Sequence, residues 1–194
     1  MRAIPASFYS GDVDRVARDL IGATLLVDGV GGVIVETEAY DAADPASHSF
    51  VGRTARNAAM FGPVGHAYIY RIYGLHLCLN IVCGSPGSAV LIRAIEPLHG
   101  VERMQERRGA AMRVNQLCAG PGRLCSALGI DQRLDGASMA LPPFALFERV
   151  EPVSIQTGPR IGITLAADRL RRFGAAGSPW LSRRFPIASP CTAV

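Results

Sequence analysis

Lysine is absent from this chain of 194 residues, and all 20 of its basic residues are arginine. A GC-rich coding bias is the plain explanation for that usage. Whatever the cause, no lysine side chain exists to form a Schiff base with a sugar or another carbonyl compound. Enzymes that work through a lysine imine are therefore excluded.

Cysteine is also sparse, and its pattern lacks the spacing of a structural motif. The chain has five cysteines, an odd number, with no Cys-x-x-Cys pair. This pattern argues against a disulfide framework and against a zinc ribbon. We expect reduced, mostly buried thiols at Cys78, Cys83, Cys118, Cys125 and Cys191.

Long apolar runs are missing as well. None approaches the ~18 residues of a membrane-spanning helix, and the nearest, ASMALPPFALF, contains two prolines. The N-terminal MRAIPASFYS lacks the apolar core of a signal peptide. We therefore expect a cytoplasmic protein without a membrane partner.

What the chain does contain indicates a globular protein. Its hydrophobic content of 49% and its length favour one domain over residues 1–194, with an irregular tail from about residue 183. The net charge of +4 permits, but does not require, a polyanionic partner.

The residue patterns predict an α+β fold with a mainly antiparallel sheet flanked by helices. Two hairpins are expected, with turns at Asp28-Gly29 and at Tyr73-Gly74. A further strand, SAVLIRAIEP, should stop at Pro97. Late strands are expected at PVSIQT and RIGITLA, and helices near residues 12–20, 54–62, 98–108 and 122–129.

Two carboxylates interrupt the strand GGVIVETEAY. Side chains alternate along a strand, so Ile34, Glu36, Glu38 and Tyr40 should share one face, with the two acids ~7 Å apart. A solvated edge strand is the simple interpretation. The alternative is a half-buried carboxylate that acts as a base, because partial burial raises its proton affinity. If one acid is catalytic, the other is structural.

Aromatic residues cluster in YIYRIYG. Core packing is the simple interpretation for Tyr68, but Tyr73 at a tight turn has little core to enter. An aromatic wedge between DNA base steps has this character. The neighbouring arginines could neutralise phosphates: they are Arg53, Arg56 and Arg71. Most surface arginines, however, are simply solvated.

Other polar residues stand in apolar surroundings. Asn80 and Arg93 lie in apolar strands and need partners, and Glu38 is an attractive one for Arg93. His48 lies in a loop after the acidic strand. The four histidines lack metal-binding spacings, so a metal site would need ligands from separate loops.

Several segments together resemble the alkyladenine (3-methyladenine, or N-methylpurine) DNA glycosylases. They occur in order over nearly the whole chain: VETEAY, ASHS, RN-x-x-MF, YIYRIYGLHLCLN, VLIRAIEP, CAGPGRLCSALGI and GSPW. The resemblance implies a curved sheet with a protruding hairpin that inserts into DNA. It also implies a monomeric, nucleoid-associated repair enzyme that needs no metal or cofactor.

The implied reaction is base excision in double-stranded DNA. An alkylated or deaminated purine is flipped out and its N-glycosidic bond is hydrolysed, which leaves an abasic site. By motif, Glu38 resembles the general base and Arg93 the residue that orients it and the water. The other implied roles are base-pocket walls for Tyr40, His48 and Tyr70, intercalation for Tyr73, rejection of guanine's amino group for Asn80, and a main-chain carbonyl for the water from Ile161.

The residues leave two other functions open. A catalytically silent binder of damaged DNA would keep Tyr73 and the arginines but not need Glu38. A metal-dependent hydrolase would use Glu36, Glu38 and scattered histidines. The absence of lysine, together with the resemblance, favours a monofunctional glycosylase that does not cleave the strand.

Overall fold

The computed structural model describes residues 1–186, so Cys191 and most of the predicted tail lie outside the described residues. One curled antiparallel sheet of eight strands is combined with four helices, which confirms the α+β prediction. The strands are β1 (Thr24–Val27), β2 (Val30–Tyr40), β3 (Ala67–Ile72), β4 (His76–Val82), β5 (Ala89–His99), β6 (Phe144–Phe147), β7 (Ile155–Gly158) and β8 (Arg172–Ala175). The helices are α1 (Val13–Asp19), α2 (Val101–Arg108), α3 (Val114–Leu117) and α4 (Pro121–Leu128).

Strand β2 organises the sheet. The strand order is β3-β4-β5-β2-β1-β6, and β8 pairs with both β2 and β7. One edge of β2 pairs with β5. The other edge pairs first with β1, over residues 30–33, and then with β8, over residues 36–38. The second half of β2 is therefore enclosed on both edges.

A bulge in β2 changes which residues face the core. Ile34 pairs with Ile95 and Glu36 with Ala94, so two residues of β2 advance against one of β5. Ile34 belongs to the main apolar core, while Thr37 donates a hydrogen bond to the carbonyl of Ala17 in α1. The prediction that Ile34 shares a face with the two glutamates is therefore wrong, because the bulge interrupts the alternation.

Two consecutive glycines let the backbones approach closely in this part of the sheet. A Cβ on Gly31 would lie 1.9 Å from the Leu25 carbonyl oxygen, and one on Gly32 would lie 1.8 Å from that of Glu96. Only glycine fits at such distances. A register shift separates the two residues, and Gly32 pairs with Pro97.

The structure confirms both predicted hairpins and changes several strand boundaries. β5 continues through Pro97 to His99, because proline is tolerated at a register shift where no ladder N–H is needed. The predicted strand RIGITLA is a loop, since positive φ angles at Gly162 (78°) and Ala166 (48°) break an extended chain. The short strands β6 and β8 were not predicted.

Two apolar clusters pack against the sheet. The main core joins α1, α2 and α4 to the sheet, and a second apolar cluster is made by Met60, Tyr68, Val82 and Ala89, with Tyr40 and Tyr70 packed against it. The described cysteines are buried and unpaired: Cys78, Cys83, Cys118 and Cys125. Within residues 1–186, no helix is long and apolar enough to cross a membrane.

Candidate active site

A cavity of about 790 Å³ opens beside the second apolar cluster. The family resemblance implied site roles for eight residues, and each of them lines this cavity: Glu38, Tyr40, His48, Tyr70, Tyr73, Asn80, Arg93 and Ile161. They come from β2, β3, β4, β5 and three loops, so only the folded sheet brings them together.

Glu38 is completely buried and accepts hydrogen bonds from three directions. The Tyr40 hydroxyl donates to Oε2 at 2.8 Å, and Arg93 Nη1 donates to the same oxygen at 3.2 Å. The main-chain N–H of Ile161 donates to Oε1 at 2.7 Å. Three donors and no acceptor suit the ionised carboxylate.

Opposing influences set the proton affinity of Glu38. Burial raises the pKa of this carboxyl, while Arg93, the Ile161 N–H and the Tyr40 hydroxyl lower it in part. The net result is a raised pKa. A carboxylate of this kind is held in its charged form and still takes up a proton more readily than an exposed glutamate, which suits a general base.

Arg93 joins the two acids of β2. Its Nη1 contacts Glu38, and its Nε donates to Glu36 Oε1 at 3.2 Å. The pairing expected between Arg93 and Glu38 is confirmed, and the solvated-edge interpretation is wrong because both glutamates are fully buried. Glu36 does not line the cavity, whereas Glu38 does.

Aromatic rings form one side of the cavity. Tyr68 and Tyr70 stack with their ring centroids 5.6 Å apart, and His48 meets Tyr70 edge-on at 4.4 Å. His48 Nδ1 is hydrogen-bonded to the Tyr68 hydroxyl at 2.9 Å. Burial, and then the charge of Arg56, lower the pKa of His48, which keeps its imidazole neutral at pH 7.

Tyr68 and Asn57 support His48, although neither was expected to have a role in the site. Tyr68 is buried, as core packing predicted, yet its hydroxyl fixes the imidazole. The Asn57 side-chain amide donates to the His48 carbonyl at 2.8 Å. The only sequence signal for Tyr68 was that it shares a strand face with Tyr70, two residues later.

A buried ion pair supports Tyr40. Arg160 donates to both carboxylate oxygens of Asp44, with Nη2 at 3.0 Å from Oδ1, and to the Ala39 carbonyl at 3.1 Å. Its guanidinium lies 4.6 Å from the centroid of the Tyr40 ring. Burial raises the pKa of Asp44, but the hydrogen bonds from Arg160 and the Ala46 N–H, together with the charges of Arg160 and Arg171, outweigh it and leave the pKa lowered. Sequence reasoning missed this pair, whose members are far apart along the chain.

Asn80 lies on β4 with its amide fixed. It is 4% exposed, and its Nδ2 donates to the Tyr68 carbonyl at 3.0 Å across the β3–β4 ladder. The partner that Asn80 was expected to need is therefore a main-chain carbonyl of the neighbouring strand. This contact holds the amide group rigidly in the cavity wall.

Tyr73 occupies the tip of the β3–β4 hairpin. Its side chain is 81% exposed, and its φ of 52° is unusual for a residue with a side chain. Gly74 follows with a φ of 69°, so both central turn residues have the positive φ that a type I′ turn requires. An exposed aromatic in a strained conformation points to a role outside the fold itself.

Three arginines were expected near the site, and all are exposed: Arg53, Arg56 and Arg71. Arg56 Nη2 donates to the Arg71 carbonyl at 3.2 Å, which ties the loop after His48 to β3. Arg71 also lines the cavity. The positive charges of Arg56 and Arg71 thus lie at the exposed edge of the cavity.

Within residues 1–186, no group of three or more His, Cys, Asp or Glu side chains is arranged to hold a metal ion.

Comparison with known proteins assigns the chain to a family. The family model described as "Methylpurine-DNA glycosylase (MPG)" matches residues 7–179. Similar proteins carry the name "Putative 3-methyladenine DNA glycosylase". The one from Nitrosospira multiformis is 61% identical over 183 residues, covering 93% of this chain and 94% of the relative. The one from Granulibacter bethesdensis is 58% identical over 184 residues, covering 92% and 87%. The chain therefore belongs to the methylpurine-DNA glycosylase family, and it is a DNA glycosylase that hydrolyses N-glycosidic bonds.

Proposed function

We propose that the protein flips an alkylated or deaminated purine out of duplex DNA into the cavity and hydrolyses its glycosidic bond there, leaving an abasic site. The observation that carries the proposal is Glu38. It is a buried carboxylate with a raised pKa in the wall of a cavity of about 790 Å³ that is also lined by tyrosines. A general base that acts on an extruded nucleotide must lie in a pocket that can hold that nucleotide.

Glu38 acts as the general base in this proposal. The oxygen of a water molecule attacks C1′ of the sugar, and its proton passes to Glu38. The bond between C1′ and the purine nitrogen breaks, and its electron pair goes to the purine. Arg93, which contacts Glu38 at 3.2 Å, orients the carboxylate and the water. The Ile161 carbonyl orients the same water, while the N–H of Ile161 holds Glu38.

Tyr40, His48 and Tyr70 bind the extruded base. A purine alkylated at N3 or N7 is positively charged, and electron-rich aromatic faces attract cations. The stacked and edge-on geometry around Tyr70 supports this role. The same positive charge makes the purine a good leaving group, since it departs neutral once the bond electrons reach it.

Tyr73 fills the gap that the extruded nucleotide leaves in the base stack. Its exposure of 81% at the tip of a hairpin supports a wedge. Arg53, Arg56 and Arg71 neutralise nearby phosphates from the rim of the cavity. Affinity for DNA should therefore fall as salt rises, because phosphate contacts release counterions.

Asn80 selects among purines. Its amide is held by the Tyr68 carbonyl, so its atoms cannot move aside for a bulkier base. The exocyclic amino group of guanine adds such bulk next to N3. We propose that Asn80 disfavours guanine and so protects undamaged DNA.

The enzyme is monofunctional and acts as a monomer in this proposal. With no lysine in the chain, a lysine imine with the sugar, and the strand cleavage that follows it, are closed routes.

The test uses duplex DNA with a single hypoxanthine or ethenoadenine, incubated with the protein and then treated with alkali. Strand breaks that appear only after alkali indicate an abasic product and no strand-cleaving activity. Release of 3-methyladenine from methylated DNA is measured in parallel. The proposal is wrong if neither substrate reacts, and breaks without alkali would contradict the monofunctional mechanism.

A further inference from the structure

Glu36 is a buried acid that the proposed mechanism does not use. It has no exposed surface, yet its carboxylate accepts hydrogen bonds from three residues. Arg172 Nε donates to Oε1 at 2.7 Å, and Arg93 Nε donates to the same oxygen at 3.2 Å. The Ser182 N–H donates to Oε2 at 2.6 Å and its hydroxyl to Oε1 at 2.9 Å. A carboxylate satisfied so completely is fixed in place and ionised.

Arg93 is held by the same group. Its three guanidinium nitrogens have different partners: Nε contacts Glu36, Nη1 contacts Glu38 and Nη2 donates to Ser182 Oγ at 3.4 Å. A planar group with three fixed contacts has one orientation. Glu36 thus determines where the guanidinium lies relative to Glu38.

Arg172 and the segment after β8 complete a buried cluster that also contains Glu36, Glu38 and Arg93. Arg172 is 1% exposed and donates to the Arg183 carbonyl as well as to Glu36. Its guanidinium lies 3.9 Å from the centroid of the Phe185 ring. The cluster as a whole contains two carboxylates and two guanidiniums, so its buried charges balance.

We propose that Glu36 is a positioning residue of the active site: it fixes Arg93 and shares the charge of that arginine, so that Glu38 remains an effective base. The inference rests on the proposed role of Glu38. Without Glu36, the positive charge of Arg93 would act on Glu38 alone and stabilise its anion more strongly. Glu38 would then be a weaker base, since proton affinity and basicity fall together.

Other polar groups besides Glu36 also lie around Glu38. They are Tyr40 on β2, Tyr70 on β3, Cys78 on β4, Arg93 on β5 and the Ile161 N–H in the loop before β8. The pKa of Glu38 is raised in part by the charge of Glu36 itself. Replacing Glu36 by a neutral residue should therefore lower the pKa of Glu38.

The decisive measurement is the pH dependence of 3-methyladenine release from methylated DNA with enzyme in excess, corrected for spontaneous release. A cationic base leaves without a proton, so the loss of rate at acid pH reports protonation of the general base. In Glu36→Gln we expect the plateau rate to fall about tenfold and the acid limb to move to lower pH by on the order of one unit. Affinity for DNA should not change.

Two further variants separate positioning from mere structural support. Glu36→Asp keeps the charge but withdraws the carboxylate, so its acid limb should stay near that of the wild type while the plateau falls. Glu148→Gln removes one carboxylate charge at the surface, where Glu148 pairs with Arg2. Neither the limb nor the plateau should change in that control.

Loss of Glu36 alone leaves Arg172 buried without a carboxylate, which can prevent folding. The double variant Glu36→Gln/Arg172→Gln removes one charge of each sign and keeps the cluster balanced. It then carries the test, and its acid limb should again lie below that of the wild type.

An acid limb that coincides with that of the wild type, or lies above it, in a folded Glu36→Gln or double variant would overturn the inference. Glu38→Gln measured alongside distinguishes this failure from a failure of the proposed function. If Glu38→Gln releases 3-methyladenine at the wild-type rate, Glu38 is not the base. If Glu38→Gln is inactive while the Glu36 variants keep the wild-type limb, only the role of Glu36 is wrong.

Discussion

The Tyr40 hydroxyl donates a hydrogen bond of 2.8 Å to Glu38, two residues earlier on the same strand. A wall of the proposed base pocket and the proposed general base are therefore in direct contact. The bond follows from the alternation of side chains along β2, which after the bulge places Glu36, Glu38 and Tyr40 on one face of the sheet.

Tyr40→Phe should move the acid limb of the rate in the opposite direction from Glu36→Gln. The lost hydrogen bond lowers the pKa of Glu38 in the native protein, so its removal raises that pKa. Hydrogen bonds to charged groups contribute ~1.5–3 kcal/mol, and one pKa unit corresponds to ~1.4 kcal/mol, so we expect the limb to rise by about one pH unit. Single-turnover release of 3-methyladenine across the acid range measures it.

Tyr9→Phe is the matched control for that variant. Tyr9 is a buried tyrosine of the main core that does not line the cavity. Its loss of a hydroxyl should leave the pH profile unchanged. An unshifted limb in Tyr40→Phe would mean that the Tyr40 hydroxyl does not influence the base.

Tyr73→Gly should change stability and activity in opposite directions. Glycine adopts the φ of 52° without strain, so the free energy of unfolding should rise by up to ~1 kcal/mol. Loss of a stacking aromatic costs ~1–3 kcal/mol of DNA interaction, so excision should fall roughly tenfold or more. Urea unfolding and single-turnover excision on a hypoxanthine duplex measure the two effects.

Asp28→Gly provides the same backbone change at a turn away from the cavity. Asp28 has a φ of 49° at the first central position of the β1–β2 turn. Its replacement should affect stability much as Tyr73→Gly does and leave excision unchanged. If both variants excise the base at the same rate, Tyr73 does not act as a wedge in the DNA base stack.

Asn80→Ser should relax the selection among purines. The shorter side chain removes the amide that the Tyr68 carbonyl holds and opens space beside the bound base. We expect the rate for 7-methylguanine, relative to 3-methyladenine, to rise roughly tenfold, the scale of one small group in a tight pocket. Both bases can be counted in one digest of methylated DNA, so each sample is its own control; a constant ratio would remove Asn80 from selection.

Asp44→Asn should destabilise the protein because it leaves Arg160 buried without its carboxylate. Breaking a buried pair costs ~3–5 kcal/mol of the free energy of unfolding, whereas Asp19→Asn at the surface should cost far less. The pKa of Asp44 is lowered in the folded state. Its contribution is therefore full above the ordinary carboxyl pKa and is lost as pH falls through the folded value. Urea unfolding at several pH values should show the free energies of unfolding of wild type and Asp44→Asn converging in acid.

Local patterns predicted the hairpins, but not every strand. A turn is determined by the preferences of about four consecutive residues. The turns at Asp28-Gly29 and Tyr73-Gly74 could therefore be predicted from local sequence. β8 could not be predicted in this way, because its sequence RFGA contains glycine and forms a strand only by pairing with β2 and β7. Conversely, RIGITLA alternates like a strand but has no partner there among the described residues.

Local patterns also could not assign every residue of the candidate site. Alternation could not separate Glu36 from Glu38, since the difference lies in distant partners: Arg172 and Ser182 for the first, and the Ile161 N–H for the second. The resemblance to a family made the choice. The Asp44–Arg160 pair joins residues that are remote in the chain, and no local pattern indicates such a contact.

The most direct test of the account compares wild type with Glu38→Gln on duplex DNA containing one damaged purine. Glutamine has nearly the shape of glutamate but cannot accept the proton of the attacking water. We expect DNA binding to be retained within a few-fold, while single-turnover release of the base falls at least about a hundredfold, the scale of general base catalysis. Release by Glu38→Gln at the wild-type rate would contradict the account.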